Sequence, residues 1–211
     1  MRERFETLFH KLTGESASTA EYEWECLQLS YTQPQRKYHN LMHIAKCLDY
    51  FDRVCELVAV PKYDRDVIEF ALWYHDIIYE PSSFTNEEDS AKYVEDMDYS
   101  FPRRFKRLAT DCIRETTHKE LATTSLSRIV RDIDLMPLSA GWNEFYINNM
   151  NIRDEYSFVP DSEFYPASAK ILGAFLERQY FYQTPPINYF YERWARNNVK
   201  MLLEEYKKKV I

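Results

Sequence analysis

The run VIEFALWYHDIIY (67–79) is apolar at almost every position and holds neither lysine nor arginine. Such a run from Asp66 to Tyr79 predicts a helix that is hydrophobic all round and lies in the middle of a domain. It also carries His75 and Asp76 side by side. A carboxylate buried there costs several kcal/mol unless it is paired or coordinated. With no cation in the run, a distant arginine or a metal ion must supply the charge. Adjacent helical side chains point about 100° apart, so both could reach one ion near the line between them.

On either side the chain keeps to helical spacing. From Tyr38 to Val58 the apolar residues Leu41, Ile44, Leu48, Phe51, Cys55 and Val58 fall three and four apart, marking one face of a helix. A loop over Glu80 to Thr85 follows the central run. Thr85 then reads as the N-cap of a helix to Asp96, with Glu87 and Glu88 in its first turn. Further helices are expected around Phe105–Ile113, Ser125–Leu135 (stopped near Pro137), Trp142–Arg153, Asp161–Tyr182 and Ile187–Lys208, after a polar first helix containing His10. Strand-like alternation is absent at any useful length. The expected fold is all-α, a single-domain helical bundle over residues 1–211.

Composition narrows the function. Three glycines leave no loop to cradle a nucleotide. A net charge of −7 argues against an extended nucleic-acid partner, while a small phosphorylated substrate needs only a few local cations. The four cysteines form no C-x-x-C pair and read as reduced core residues. The first residues lack a signal-peptide core, and no apolar run reaches the ~18 residues of a membrane span. A cytoplasmic location without a membrane partner is expected; oligomeric state is not legible.

His39 and His43, four apart, would share one helix face. Asp132 and Asp134 close the helix that begins at Ser125. On spacing alone either could join His43, His75 and Asp76. Two imidazoles and two carboxylates suit one divalent ion (Mn, Ni, Co, Fe or Zn), and Mg less well.

The order His43, His75-Asp76, Asp134 resembles the signature of the HD superfamily. The stretches RKYHNLMHI (36–44), ALWYHDIIYEP (71–81), TNEEDSA (85–91), TTHK (116–119), DIDL (132–135) and FLERQYFYQT (175–184) are similar to the predicted metal-dependent HD-superfamily phosphohydrolases. The YHNLMH stretch also resembles the Tyr-His-Asn-x-x-His motif of cyclic-nucleotide phosphodiesterases. These likenesses imply an HD-type fold and hydrolysis of a phosphate ester by metal-activated water. They imply His43, His75, Asp76 and Asp134 as metal ligands, with Asp134 favoured over Asp132. Asp76 would also orient or deprotonate the water, and His39 would protonate the leaving oxygen. Arg36 could grip a phosphate. Asn86 and Glu87 would line the cavity, and His118 would face substrate or act as an extra ligand. The competing readings are a metal-holding scaffold or sensor without catalysis, and a di-iron oxygenase.

Overall fold

A computed structural model describes residues 1–209. Its helices are α1 (Arg2–Thr13), α2 (Ala17–Tyr31), α3 (Leu41–Leu57), α4 (Lys62–Tyr74), α5 (Asn86–Glu95), α6 (Phe105–Arg114), α7 (Ser125–Leu135), α8 (Trp142–Glu155), α9 (Asp161–Glu177) and α10 (Pro185–Lys209). Short 3-10 turns follow α6 and α7, and no strand occurs among the described residues. The fold is all-α in one compact domain. None of its helices is long and apolar enough to cross a membrane.

α4 is the central helix that its composition predicts. Every residue from Val67 to Tyr74 except Glu69 is buried, and α1, α3, α5, α6 and α7 pack around it. Phe5 of α1 and Trp24 of α2 meet the Trp73 indole edge-on, with ring centroids at 5.5 and 6.1 Å. These aromatic contacts fasten the α1–α2 hairpin onto α4. α2 itself has no place in the sequence reading. Ser16 opens it by accepting from the Thr19 N–H, and α1 ends before it at Gly14, whose φ of 73° suits a residue without Cβ. α9 and α10 pack as an antiparallel pair, with α8 and the 3-10 turn after α7 beside them.

Three predicted boundaries move. The central helix ends at Tyr74, not Tyr79, because the backbone beyond it finds partners outside the helix. The Arg36 guanidinium donates to the carbonyls of Asp76 (2.6 Å) and Ile77 (2.9 Å). Ser90 Oγ accepts from the Ile78 N–H and donates to the Ile78 carbonyl, both at 3.1 Å. α3 begins at Leu41 because the Asn40 side chain takes the Met42 N–H, so His39 stands before the helix. α9 stops at Glu177 rather than Tyr182. There Glu192 collects the N–H groups of Phe181 and Tyr182, and Arg196 takes the carbonyls of Leu176, Arg178 and Gln179. Thr85 does precede α5, but its hydroxyl bonds the Asp89 carboxylate rather than a backbone N–H.

Ser90 is fully buried and satisfies both backbone groups of Ile78. Ser90→Ala is expected to cost roughly 1–3 kcal/mol, the penalty of orphaned buried polar groups, measured by urea unfolding. A change within about 0.5 kcal/mol, the scale of a neutral surface substitution, would contradict this role.

Candidate metal centre

The turn that ends α4 swings His75 and Asp76 toward α3 and α7. His43 Nε2 lies 3.2 Å from His75 Nε2, 3.1 Å from Asp134 Oδ1 and 3.6 Å from Asp76 Oδ2. His75 Nε2 lies 3.2 Å from Asp76 Oδ2 and 3.5 Å from Asp134 Oδ1. Both imidazoles are buried. The expectation that His75 and Asp76 sit on a continuous helix is corrected: a helix end bends the chain there, and Arg36 and Ser90 hold the bend.

His75 Nδ1 donates to the Leu72 carbonyl at 2.9 Å. In the neutral ring, Nε2 therefore offers a lone pair to the cluster. Two carboxylate oxygens face the same point. Acceptors crowd one another here with too few protons between them, and only positive charge relieves that. Burial opposes an imidazolium at His75, yet the carboxylates of Asp76 and Asp134 outweigh it and raise its pKa well above the ordinary histidine range. Burial likewise opposes ionisation of Asp76 and Asp134, but the neighbouring histidines hold both pKa values below the usual carboxylate range. Without a metal, a proton on His75 supplies the missing charge.

The donor set fits a divalent cation. His43, Cys47, His75 and Asp134 each present one ligand atom, all within 4.8 Å of one another. Cys47 is a residue that sequence reasoning assigned to the core only. Its thiol is buried, but it faces His43 Nε2 at 3.6 Å. The signal was its position four residues after His43, one turn along the same face of α3. Burial, and then the carboxylates of Asp134 and Asp76, push its pKa well up.

Metal binding is expected to strengthen as pH rises, because the ion must displace the proton that His75 holds above its ordinary pKa. Calorimetry in buffers of different ionisation enthalpy should detect about one proton released per ion. Affinity that stays flat between about pH 5.5 and 8 would contradict the arrangement.

Around this cluster the other expected site residues divide. Asp132, the rival of Asp134, turns away and accepts the N–H groups of Gln183 and Thr184 at 2.9 and 2.6 Å. His118 Nε2 contacts Asp134 Oδ2 at 2.8 Å, so the ring orients that carboxylate.

Arg36 is corrected too. It is buried and directs its guanidinium at three backbone carbonyls and at Gln33, which leaves it no fork for a phosphate. The Asn86 amide is spent on the backbone: it clasps the N–H and carbonyl of Glu80, both at 2.9 Å. Glu87 is half-buried and makes no hydrogen bond or ion pair with the described residues.

His39 and His43 do not share a helix face, yet their rings come within 6.0 Å, centroid to centroid. His39 stacks on the Tyr79 ring at 4.1 Å. Its Nδ1 meets Glu155 Oε2 at 2.7 Å. Glu155, at the end of α8, has no counterpart in the sequence reading. Its buried carboxylate also accepts from the Tyr38 N–H (2.8 Å), the His39 N–H (2.9 Å) and the Tyr79 hydroxyl (2.8 Å). Burial lowers the pKa of His39, but Glu155 and then Asp76 outweigh it, and the net shift is upward. Beside His43 a cavity of about 290 Å³ opens, lined in part by Lys37, Tyr38, Lys46, Asn148 and Asn151.

No family model matches this chain, and no curated protein or solved structure matches it significantly.

Proposed function

We propose that this chain is an HD-type, metal-dependent phosphohydrolase acting on a small phosphorylated molecule. The observation that carries the reading is the convergence of His43 Nε2, His75 Nε2, Asp76 Oδ2 and Asp134 Oδ1 within 3.1–3.6 Å for every contact named above. These four groups would hold one divalent cation. Asp76 is preferred to Cys47 as the fourth ligand because its Oδ2 lies against both imidazole nitrogens, 3.2 Å from His75 Nε2 and 3.6 Å from His43 Nε2, and because a carboxylate needs no proton removed by the ion. When bound, such an ion supplies Lewis acidity that activates water and polarises a phosphoryl oxygen.

The chain's own groups complete the reaction. Asp76, ionised at neutral pH, orients the attacking water and accepts its proton. Asp134, braced by His118, keeps the ligand geometry. His39 donates a proton to the leaving oxygen from Nε2, while Glu155 holds Nδ1 and favours the charged ring. The cavity beside His43 is at the low end of small-ligand sites, which run from roughly 300 Å³ upward. Of its lining cations Lys37 offers a positive charge to phosphate, while Lys46 is already paired with Glu144 at 3.0 Å.

The test is a panel of phosphomonoesters, cyclic nucleotides and nucleotides assayed with Mn²⁺, Co²⁺ or Ni²⁺. Metal-dependent phosphate release that a chelator stops supports the proposal. Inactivity with every metal would leave the scaffold reading in its place, and two irons per chain on metal analysis would favour an oxygenase.

A further inference from the structure

The middle of α8 carries the run Asn148-Asn149-Met150-Asn151. Asparagine is a poor helix former, because its carboxamide competes for nearby backbone groups. The other asparagines that are buried or half-buried, Asn40, Asn86, Asn149, Asn188 and Asn198, all spend their carboxamides on the chain. Asn148 and Asn151 are half-buried too, yet among the described residues neither makes a side-chain hydrogen bond. They stand three apart, one turn along the same face of α8. Both line the cavity of about 290 Å³ beside His43.

Tyr50 of α3 lines the same cavity. It is only 8% exposed, and its hydroxyl has no hydrogen bond among the described residues. Three neutral side chains, each able to donate and to accept, therefore border one space with their hydrogen-bonding capacity unspent. Charge around that space is nearly balanced, since Lys46 is paired with Glu144 and only Lys37 is left over. Tyr38, Met42 and Pro137 supply apolar wall. A second anionic group finds little to bind there. An uncharged group with donors and acceptors finds partners on two helices.

We propose that Asn148 and Asn151 bind an uncharged polar alcohol, a nucleoside or a sugar, and that this alcohol is the part of the phosphate ester that leaves. The cavity opens at His43, so an ester whose phosphate sits at the candidate metal centre extends its alcohol toward α8. Carboxamides suit such a group. They pair with the donor and acceptor edge of a base, and equally with sugar hydroxyls. In the hydrolytic step the water oxygen bonds to phosphorus, the ester P–O bond breaks, and the alcohol oxygen takes its proton from His39. Only the alcohol's role as leaving group rests on the phosphohydrolase reading; recognition of the free alcohol does not.

Binding is read on the full chain by saturation-transfer NMR titration with adenosine and with glucose, in the absence of metal and phosphate, so that turnover plays no part. Adenosine binding alone names a nucleoside, glucose binding alone names a sugar, and binding of both supports the shared chemistry. The Kd should rise about tenfold in the double variant Asn148→Ala/Asn151→Ala. Alanine is the best helix former, so this variant should melt no lower than the wild type. Binding of neither alcohol would overturn the proposal, as would a Kd that the double variant leaves unchanged. A lowered Tm would also overturn it, because the carboxamides would then serve the fold.

A kinetic arm with Mn²⁺ tests the role as leaving group. The loss of kcat/KM in the double variant for adenosine 5′-monophosphate or glucose 6-phosphate should exceed the loss for p-nitrophenyl phosphate at least about tenfold. Equal losses on all three esters would overturn that role. Absence of turnover on every ester would count against the phosphohydrolase reading, and the NMR titration would still decide whether the two asparagines bind the alcohol.

Discussion

Asp134→Asn is expected to abolish stoichiometric metal binding without unfolding the chain. The substitution keeps the shape of the side chain and removes its charge. Asp134 Oδ1 faces His43 at 3.1 Å and His75 at 3.5 Å, while Oδ2 faces His118 at 2.8 Å. An amide there leaves His43 and His75 opposite a neutral group, and a divalent ion loses half of its carboxylate charge. Losing an outer partner of a metal site costs about 10–100-fold in affinity or activity, so losing a ligand should exceed that. His75→Ala should behave in the same way. Metal analysis of dialysed protein, with circular dichroism to confirm folding, reads both.

Asp132→Asn is the control. Its carboxylate holds the Gln183 and Thr184 N–H groups. It should keep the metal and lose roughly 1–3 kcal/mol of stability. Full metal occupancy in Asp134→Asn, with loss in Asp132→Asn, would reverse the assignment of the last ligand.

The second large effect is expected at Glu155. Its buried carboxylate gathers the N–H groups of Tyr38 and His39, the His39 ring and the Tyr79 hydroxyl. Glu155→Ala orphans these groups together and should destabilise the chain by about 3–5 kcal/mol, the scale of a broken buried ion pair. Glu155→Gln is the milder probe. It keeps the volume and some of the hydrogen bonds but removes the charge that favours protonated His39.

A general acid works only while protonated. With the support of Glu155 gone, the pKa of His39 falls and the alkaline limb of the pH–rate profile should move to lower pH. His39→Ala should remove the limb and about 10²–10⁴ of the rate. An alkaline limb that stays in place in Glu155→Gln would show that His39 is not the proton donor.

Local pattern carried far in this chain because helices are short-range objects. The apolar run of residues 67–74, broken only by Glu69, was enough to place α4 at the centre, since no helix hydrophobic all round is stable at a surface. His75 and Asp76 stood out because their apolar run holds no charge partner, whereas the full series with His43, and the choice of Asp134 over Asp132, came from the resemblance to the HD superfamily and the phosphodiesterases. Cys47 was within reach of the same reasoning, one turn from His43, but thiols are so common in cores that the position alone pointed nowhere.

Other positions were misread where a polar side chain could serve either a ligand or a backbone. Arg36 and Asn86 looked like substrate groups, yet each satisfies carbonyl and amide groups exposed where α4 ends. The donors and acceptors of a broken helix are invisible until the break is seen.

The sequence by itself determined the helical class, the burial of α4 and the residue types able to surround a cation, because 3.6-residue periodicity and the cost of burying charge are local properties. Only the tertiary structure decided which groups meet. Glu155 reaches His39 across 116 residues and Arg36 reaches Ile77 across 41. Such contacts depend on how helices dock, and docking is set by the shapes of whole packed faces rather than by any one segment.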